Sequence, residues 1–213
     1  MTNILHTSDL HGNFNAVLNC GAGFDLWLDT GDFFPNMSRG EVSIEVPFQT
    51  QWLADNNVVT RLVEFLNGRP MVGVGGNHDY VSLAAAINEA GGTAYAITPE
   101  GVEVAGIRFA GFREVPYMMG EWNGETHAFN EVIEATFNAQ PDVLVTHAPP
   151  GGMLDTCPAH GGGIAALMTA LCYQPHKVKA HFFGHIHEFG GQSINEMGIM
   201  FANGAGKATV HTV

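Results

Sequence analysis

The chain is organised as short apolar runs separated by amphipathic stretches, and many of the runs end abruptly at Gly, Asp, Asn or His. Compact runs rich in β-branched and aromatic residues predict strands, and apolar residues three or four positions apart predict helices. Strands are predicted at residues 3–6, 26–28, 71–74, 94–97, 102–104, 107–110, 143–145, 181–183, 199–202 and 209–211. Helices are predicted at residues 14–18, 47–66, 81–90, 129–138 and 163–173.

Most of these helices connect consecutive strands, which is typical of parallel β-α-β units. The pattern of residues 94–110 predicts an antiparallel meander, and the last two strands predict a closing hairpin. Residues 31–46 lack a clear periodicity and contain Pro35 and Gly40, so a long loop is expected there. Together these elements predict an α/β fold, a four-layer αββα sandwich of two mixed β-sheets flanked by helices.

A single domain covering residues 1–213 is expected. With 46% hydrophobic residues the chain can bury a full core, and it contains no linker, low-complexity run or internal repeat. The longest apolar stretch, residues 164–173, is too short for a membrane-spanning helix. The amino terminus enters a strand-like run without the basic and apolar regions of a secretory signal, so a cytoplasmic location is expected.

Charge and cysteine content narrow the class of protein further. The formal net charge is −13 and the eight Lys and Arg residues are scattered singly, so no basic stripe is present for a long nucleic acid. Two divalent cations would reverse the local sign, and a small phosphate ester could then bind. Cys20, Cys157 and Cys172 are too few for a disulfide framework and are expected to be reduced thiols. The oligomeric state is left open.

Five of the apolar runs stop at side chains that bind metals. The seven potential ligands at these stops are Asp9, His11, Asp32, Asn77, His147, His185 and His187. Because loops at the carboxyl ends of strands converge on one crevice in layered α/β enzymes, these side chains predict a two-metal site. Asp9 and His11 are two positions apart, as are the histidines of Gly-His-Ile-His, and on extended backbone such pairs point to one side.

Further reactive groups accompany the ligands in the sequence Gly76-Asn77-His78-Asp79. His78 is free to donate a proton, and Asp79 could hold that imidazole in one tautomer. Each motif alone can also be explained without metal binding or catalysis, as a polar turn or as a histidine that is only structural or exposed. Five such motifs, in sequence at strand ends, are much harder to explain by chance, so an enzyme is predicted rather than a binding module.

The order Asp-x-His, Gly-Asp, Gly-Asn-His-Asp, a strand-end His and Gly-His-x-His resembles the signature of the calcineurin-like metallophosphoesterase superfamily, over nearly the whole chain. Outside the metal ligands, the resemblance implies that His78 donates to the phosphate or the leaving oxygen, with Asp79 orienting it. It also implies two ligand shells that share Asp32 as a bridge: Asp9, His11, Asp32 and His187 around one ion, and Asp32, Asn77, His147 and His185 around the other.

The same resemblance implies phosphoester hydrolysis by two divalent metal ions. Two cations about 3.5–4 Å apart lower the pKa of a bridging water and stabilise an in-line displacement. Attack of hydroxide on phosphorus, without a covalent enzyme intermediate, is therefore expected. Mn²⁺ is the expected ion, with Fe or Zn²⁺ as alternatives, because mixed nitrogen and oxygen donors suit these ions better than Mg²⁺.

The expected substrate class follows from the motifs in which this sequence differs from other branches of the superfamily. Ser/Thr protein phosphatases and diadenosine tetraphosphate hydrolases carry Gly-Asp-x-Val-Asp-Arg-Gly, whereas residues 31–36 read Gly-Asp-Phe-Phe-Pro-Asn and lack that arginine. Residues 142–151, Asp155 and residues 181–188 are similar to the metallophosphoesterase-domain phosphodiesterases related to the human brain and fetal-brain proteins. That group hydrolyses phosphodiesters, including 2′,3′-cyclic nucleotides, so a phosphodiesterase acting on a small phosphodiester or nucleotide is expected. His187, which some relatives lose, is intact.

Substrate contacts are predicted for Asn77 and for an aromatic loop. Arg113 could contact phosphate, and Tyr117 or Trp122 could stack on a base. An aromatic loop that packs on the core, with a solvated Arg113, explains the same residues equally well. Two alternative functions stay open: a phosphomonoesterase or pyrophosphatase using the same metals, and an inactive metal-binding scaffold.

Overall fold

The computed structural model describes residues 1–21, 23–38, 40–116, 126–156 and 162–213, with only the backbone described at 126–128. The strands are β1 (Asn3–Ser8), β2 (Leu26–Asp29), β3 (Met71–Gly73), β4 (Ala94–Ala96), β5 (Val102–Val104), β6 (Ile107–Phe112), β7 (Val143–Thr146), β8 (Ala180–Phe183), β9 (Ser193–Glu196), β10 (Ile199–Asn203) and β11 (Lys207–Thr212). The helices are α1 (Asn15–Leu18), α2 (Val42–Asp55), α3 (Val58–Leu66), α4 (Leu83–Glu89), α5 (Thr126–Asn138), α6 (Ala165–Tyr173) and a 3₁₀ turn at His187–Phe189.

Two mixed sheets form the centre of the molecule. The first has the order β11-β1-β2-β3-β4, with β1 to β4 parallel and β11 antiparallel to β1. The second has the order β5-β6-β7-β8-β10-β9, with β6, β7, β8 and β10 parallel and an antiparallel strand at each edge. The parallel strands place their carboxyl ends along one edge of each sheet, where their following loops can meet.

Three buried apolar clusters lie between the layers. One packs residues of the first sheet, such as Trp27, against helix residues such as Leu62. Another packs Leu144 of the second sheet against Leu167 of α6. The third contains inner-face residues of both sheets, such as Leu28. The predicted α/β fold, with two mixed sheets flanked by helices, is confirmed.

Two predicted strand pairings are wrong. β4 runs parallel to β3 in the first sheet, whereas β5 and β6 pair with each other in the second, so residues 94–110 are not one meander. β10 and β11 also lie in different sheets, and β10 pairs instead with β8 and with the unpredicted strand β9. Short β segments carry little local information about their partners, because pairing depends on packing against distant residues.

The predicted helix over residues 47–66 is two helices. α2 begins before Pro47 and contains it, and α3 follows a break at Asn57, whose φ of +48° is left-handed. Proline is favoured in the first turn of a helix, so the predicted helix was started at Pro47. The helix in fact begins earlier, at Val42. The earlier start puts Glu45 and Gln49 on the buried face of α2, with no exposed surface on either residue.

The longest helix in the described part of the chain is α2, with 14 residues. None of the described helices combines the length and the apolar character that crossing a membrane requires.

Candidate metal centre

The predicted ligands meet at the carboxyl ends of strands from both sheets. In the first sheet, the loops after the adjacent strands β1, β2 and β3 carry Asp9, Asp32 and Asn77. In the second, the loops after the adjacent strands β7 and β8 carry His147 and His185. The structure therefore brings all five predicted loops to one place.

Two groups of side chains are close enough to hold metal ions. In the group Asp9, His11 and His187, one ligand atom from each residue lies within 4.8 Å of the others, and the same is true of Asp9, Asp32 and His147. His187 Nε2 is 3.1 Å from Asp9 Oδ1, and His147 Nε2 is 3.3 Å from Asp32 Oδ2. Asp9 belongs to both groups, so the two candidate positions are neighbours.

Asn77 and His185 lie beside the second group. Asn77 Oδ1 is 3.1 Å from His147 Nε2, so this amide oxygen faces the same nitrogen as the Asp32 carboxylate. The His185 ring packs edge-on against His147 with 5.1 Å between centroids, and its backbone N–H donates to Asp9 Oδ2 at 2.8 Å. All seven predicted ligands thus lie in one cluster.

Several of these residues have a left-handed backbone conformation. The φ angles of Asp9, His11, Asp32 and His185 are +52°, +43°, +55° and +67°. Such angles are uncommon for residues with a side chain and tend to occur at functional sites. The expectation that Asp9 and His11 lie on extended backbone is therefore wrong. A turn after β1 brings them together, and the His11 N–H fixes it by donating to Asp32 O at 3.0 Å.

Two glycines allow the loops to approach each other. Gly31 has a φ of +100°, and a Cβ at this position would lie 2.5 Å from Gly76 N. A Cβ at Gly184 would collide with Ser8 Oγ and with Asp9 Oδ2. The glycines of the Gly-Asp and Gly-His motifs are therefore required by the close packing of the ligand loops.

Burial and mutual attraction set the charges of Asp32 and His147. Burial opposes ionisation of Asp32, but His147 and His78 outweigh it and lower the pKa of this carboxyl below its ordinary value. Burial also disfavours the charged form of His147, but the Asp32 carboxylate raises the pKa of this imidazole to about 10. His147 Nδ1 is 2.8 Å from Thr30 O, which leaves Nε2 directed at Asp32 and Asn77. The space around Nε2 therefore favours positive charge.

The same competition operates around Asp9. Burial opposes its ionisation, but the hydrogen bond with His187, the charge of His147 and the hydrogen bond from Ser8 together outweigh burial and lower the pKa of Asp9. The hydrogen bond with Asp9 raises the pKa of His187. Burial lowers the pKa of His11 and lowers that of His185 to about 4, so both imidazoles are neutral near pH 7. Ionised carboxylates and neutral imidazoles are the forms that metal ions bind.

The donor set fits a pair of divalent cations. Asp9 and Asp32 are only 4% and 2% exposed and supply two negative charges that need compensation in the interior. The imidazoles add nitrogen donors, and Asn77 adds an amide oxygen beside His147. Mixed carboxylate and imidazole donors suit Mn²⁺, Fe²⁺ and Zn²⁺ better than Ca²⁺ or Mg²⁺, which prefer oxygen alone.

His78 lies at the rim of the ligand cluster. Its Nε2 is 4.0 Å from Asp32 Oδ2, and its ring packs edge-on against His11 with 5.2 Å between centroids. The side chain is 23% exposed, so it can reach a substrate bound over the cluster. The His78 backbone N–H donates to Asp32 Oδ1 at 2.7 Å, which fixes the loop relative to the ligands.

Asp79 differs from its predicted role of orienting the His78 imidazole. Its Oδ2 accepts the backbone N–H groups of Asp32 at 2.8 Å and Gly76 at 2.9 Å, and its Oδ1 accepts that of Phe34 at 3.1 Å. Burial and the Asp32 carboxylate raise the pKa of Asp79 to about 6, although these N–H groups oppose the shift. Asp79 therefore ties two ligand loops together through their backbone.

A buried glutamine that the sequence did not reveal holds the backbone of His78. Gln49 donates from Nε2 to His78 O at 2.7 Å and accepts the Tyr80 N–H on Oε1 at 2.9 Å. One turn earlier on α2, Glu45 accepts the Ser38 N–H at 2.6 Å. Two polar residues four positions apart share one helix face, and this spacing could have indicated a polar pair on α2. The pair was not predicted, because the predicted helix began after the first of the two residues.

Arg113 contacts the same loop from the side of the second sheet. Its Nη2 donates to Gly76 O at 2.5 Å and to Asp79 O at 2.6 Å. Arg113 was predicted to contact phosphate. In the structure these two hydrogen bonds instead fix the backbone next to the metal ligands. The other two predicted substrate contacts, Tyr117 and Trp122, lie outside the described residues.

Comparison with protein families matches this cluster and fold to a known group. The model of the calcineurin-like phosphoesterases matches residues 2–189, a range that contains all seven ligands. The family match therefore agrees with the fold and with the two candidate ligand groups. The chain belongs to the calcineurin-like phosphoesterase family.

Comparisons with individual proteins are less informative. No curated protein matches the chain. Among solved structures, the chain is similar to the Thermus thermophilus sulfate thiohydrolase SoxB in complex with glycerol, with 13% sequence identity and a TM-score of 0.47. The match covers 95% of this chain and 51% of that one, so the chain spans about half the length of that protein.

Proposed function

We propose that this protein is a dinuclear metal-dependent phosphodiesterase that acts on small phosphodiesters such as cyclic nucleotides. The observation that carries the proposal is the gathering of carboxylates, imidazoles and an amide into two adjacent ligand groups, with His78 at their rim. The family supplies phosphoester hydrolysis. The resemblance of residues 142–151 and 181–188 to metallophosphoesterase-domain phosphodiesterases supports the choice of a diester.

The proposed bridging ligand is Asp32. The resemblance to the superfamily supports this choice. The Asp32 carboxylate also raises the pKa of His147 in one group and acts in the same direction on His11 and His187 in the other, as does Asp9, which belongs to both groups. When bound, two divalent ions, with Mn²⁺ as the proposed metal, would supply Lewis acidity at the phosphoryl oxygens and a water of lowered pKa. The proposed shells are Asp9, His11, Asp32 and His187 for one ion, and Asp32, Asn77, His147 and His185 for the other.

The residues of the chain itself orient the substrate and supply a proton. His78 lies outside the proposed shells, and its partly exposed ring can donate to a phosphoryl oxygen or to the leaving oxygen. Asp79, Gln49 and Arg113 hold the backbone around His78 from three directions, so the ring keeps its position when a substrate binds.

The two ester classes differ in the charge that they bring to the site. A phosphodiester carries one negative charge, whereas a phosphomonoester carries nearly two near pH 7 and requires more positive charge for binding. The guanidinium of Arg113 is directed at the carbonyl oxygens of Gly76 and Asp79. The proposed metal ions would supply positive charge to either ester.

Relative turnover of two chromogenic esters tests the substrate class. With Mn²⁺ present, kcat/KM for bis(p-nitrophenyl) phosphate is expected to exceed that for p-nitrophenyl phosphate by about tenfold or more, since about 1.4 kcal/mol of preference gives that ratio. Faster monoester cleavage would reject the diester and favour a phosphomonoesterase. A metal-loaded protein that is inert towards both esters and towards pyrophosphate would identify an inactive scaffold.

Replacing Gln49 by alanine is expected to lower turnover by about 10- to 100-fold, because a small displacement of a reacting group costs about that much. The His78 carbonyl and the Tyr80 N–H would lose their shared partner. The loss should be larger for esters with poor leaving groups, since these depend most on proton donation by His78. Turnover across a series of aryl diesters, together with metal content, measures both effects.

Gln51→Ala provides the matched control for that series. Gln51 lies on the same helix, where it is exposed and donates to Asp55 Oδ1 at 2.6 Å. This variant should have wild-type turnover. A Gln49→Ala loss that is equal for all leaving groups would mean that Gln49 supports only the general structure of the loop.

A further inference from the structure

Three sulfur atoms meet on the outer surface of the second sheet. Cys172 Sγ lies 3.8 Å from Met168 Sδ and 3.8 Å from Met197 Sδ, and we name these three residues the sulfur cluster. Met168 and Cys172 are one turn apart on α6, and Met197 lies in the turn between β9 and β10. Since α6 leads into β8 and that turn leads into β10, the cluster lies at the amino ends of these parallel strands. The metal centre, with His185, lies at their carboxyl ends.

Hydrogen bonding does not explain both sulfur contacts at once. A thiol has one hydrogen, so Cys172 can donate to only one of the two thioethers at a time. A cation bound to the thiolate could contact all three sulfur atoms. Metal–sulfur bonds of about 2.3 Å place the ligands of a trigonal or tetrahedral site roughly 3.8–4.0 Å apart. The two contacts made by Cys172 have this spacing.

The location of Met197 is not explained by local stability. Met197 and Gly198 have φ angles of +55° and +76°, a turn in which Asn-Gly or Asp-Gly is preferred. The Met197 side chain is also 50% exposed, so it does not gain the full burial that usually stabilises a methionine. The left-handed backbone and the exposure of Met197 would both be explained if its thioether served to bind a ligand.

We propose that the sulfur cluster binds a soft monovalent cation of the copper(I) class. Thiolate and thioether ligands select such ions, whereas the nitrogen and oxygen donors of the metal centre suit borderline divalent ions. One thiolate and two neutral thioethers would balance the single positive charge. Cys172 is exposed, so the ion can enter from solvent. The protein would then hold two kinds of metal at opposite ends of its second sheet.

Anaerobic competition between the reduced protein and a chromogenic copper(I) chelator tests this proposal. The wild-type chain is expected to take up one more equivalent of copper(I) than Cys172→Ser. Met168→Leu and Met197→Asn should each weaken binding by about tenfold or more, because each removes one soft ligand. Leucine conserves the volume of methionine, and asparagine suits the left-handed turn, so both variants should fold.

Cys20→Ser is the matched control, because Cys20 is half-buried and its thiol donates to Ala208 O at 3.9 Å. This variant should bind copper(I) like the wild type, and Cys157 is present in every variant. Equal uptake by Cys172→Ser and Cys20→Ser would overturn the proposal. Wild-type affinity in both Met168→Leu and Met197→Asn would also overturn it, since the thiol would then act alone. The measurement does not depend on phosphoester hydrolysis.

Discussion

Substitution of Asp32 by alanine is expected to abolish phosphoester hydrolysis and to weaken metal binding by more than the roughly 10- to 100-fold that changes around a ligand cause. Asp32 is 2% exposed, and its carboxylate lies 3.3 Å from His147 Nε2. Its removal would take one ligand from both proposed ions and would leave a buried imidazole without its counter-charge. Metal content per chain and turnover of bis(p-nitrophenyl) phosphate, measured during a Mn²⁺ titration, report the two effects.

Asp29→Asn is the matched control for this substitution. Asp29 is also 2% exposed, but it lies outside both ligand groups and accepts the Thr7 hydroxyl at 2.7 Å. Burial raises the pKa of Asp29 well above its ordinary value, so a neutral asparagine is a close substitute. The variant should bind metal like the wild type. If Asp32→Ala bound Mn²⁺ as tightly as Asp29→Asn, the proposed ligand assignment would be wrong.

Substitution of His78 by alanine is expected to keep both metal ions and to lower turnover by about 10²- to 10⁴-fold, the usual contribution of a general acid. His78 Nε2 lies 4.0 Å from Asp32 Oδ2, whereas the proposed ligands His147 and His187 approach their carboxylates to 3.3 Å and 3.1 Å. The side chain can therefore be removed without opening a ligand shell. Parallel measurements of metal content and kcat separate the two functions.

The leaving group provides an internal control for the His78 variant. An alkyl or phenyl ester needs a proton on its departing oxygen, whereas a nitrophenolate departs readily without one. The loss in His78→Ala should therefore increase as the leaving group becomes more basic. A uniform loss across the series, or a variant without metal, would contradict the assignment of His78 as the proton donor.

The metal ligands could be predicted from sequence because each follows closely on a buried apolar strand. Asp9 directly follows β1, and His147 directly follows β7. Strand ends are a local property of the sequence, and parallel sheets then bring those ends together. The sandwich of two mixed sheets and the membership in the family followed from the same pattern.

The backbone geometry of the site could not be predicted, because it depends on contacts between distant loops. The left-handed turn at Asp9 and His11 is held by Gly31 O and Asp32 O, more than twenty residues away. The partners of β4 and β10 depend in the same way on packing between sheets. The hydrogen bonds of Gln49 to the His78 loop also join segments distant in sequence.

The wild-type arm of the Mn²⁺ titration tests directly whether the chain is a dinuclear phosphodiesterase. Hydrolysis of bis(p-nitrophenyl) phosphate by the metal-free chain should start near zero, rise with added Mn²⁺ and saturate at two bound ions per chain. Saturation at a single ion, or full turnover by the metal-free chain, would contradict a dinuclear phosphodiesterase.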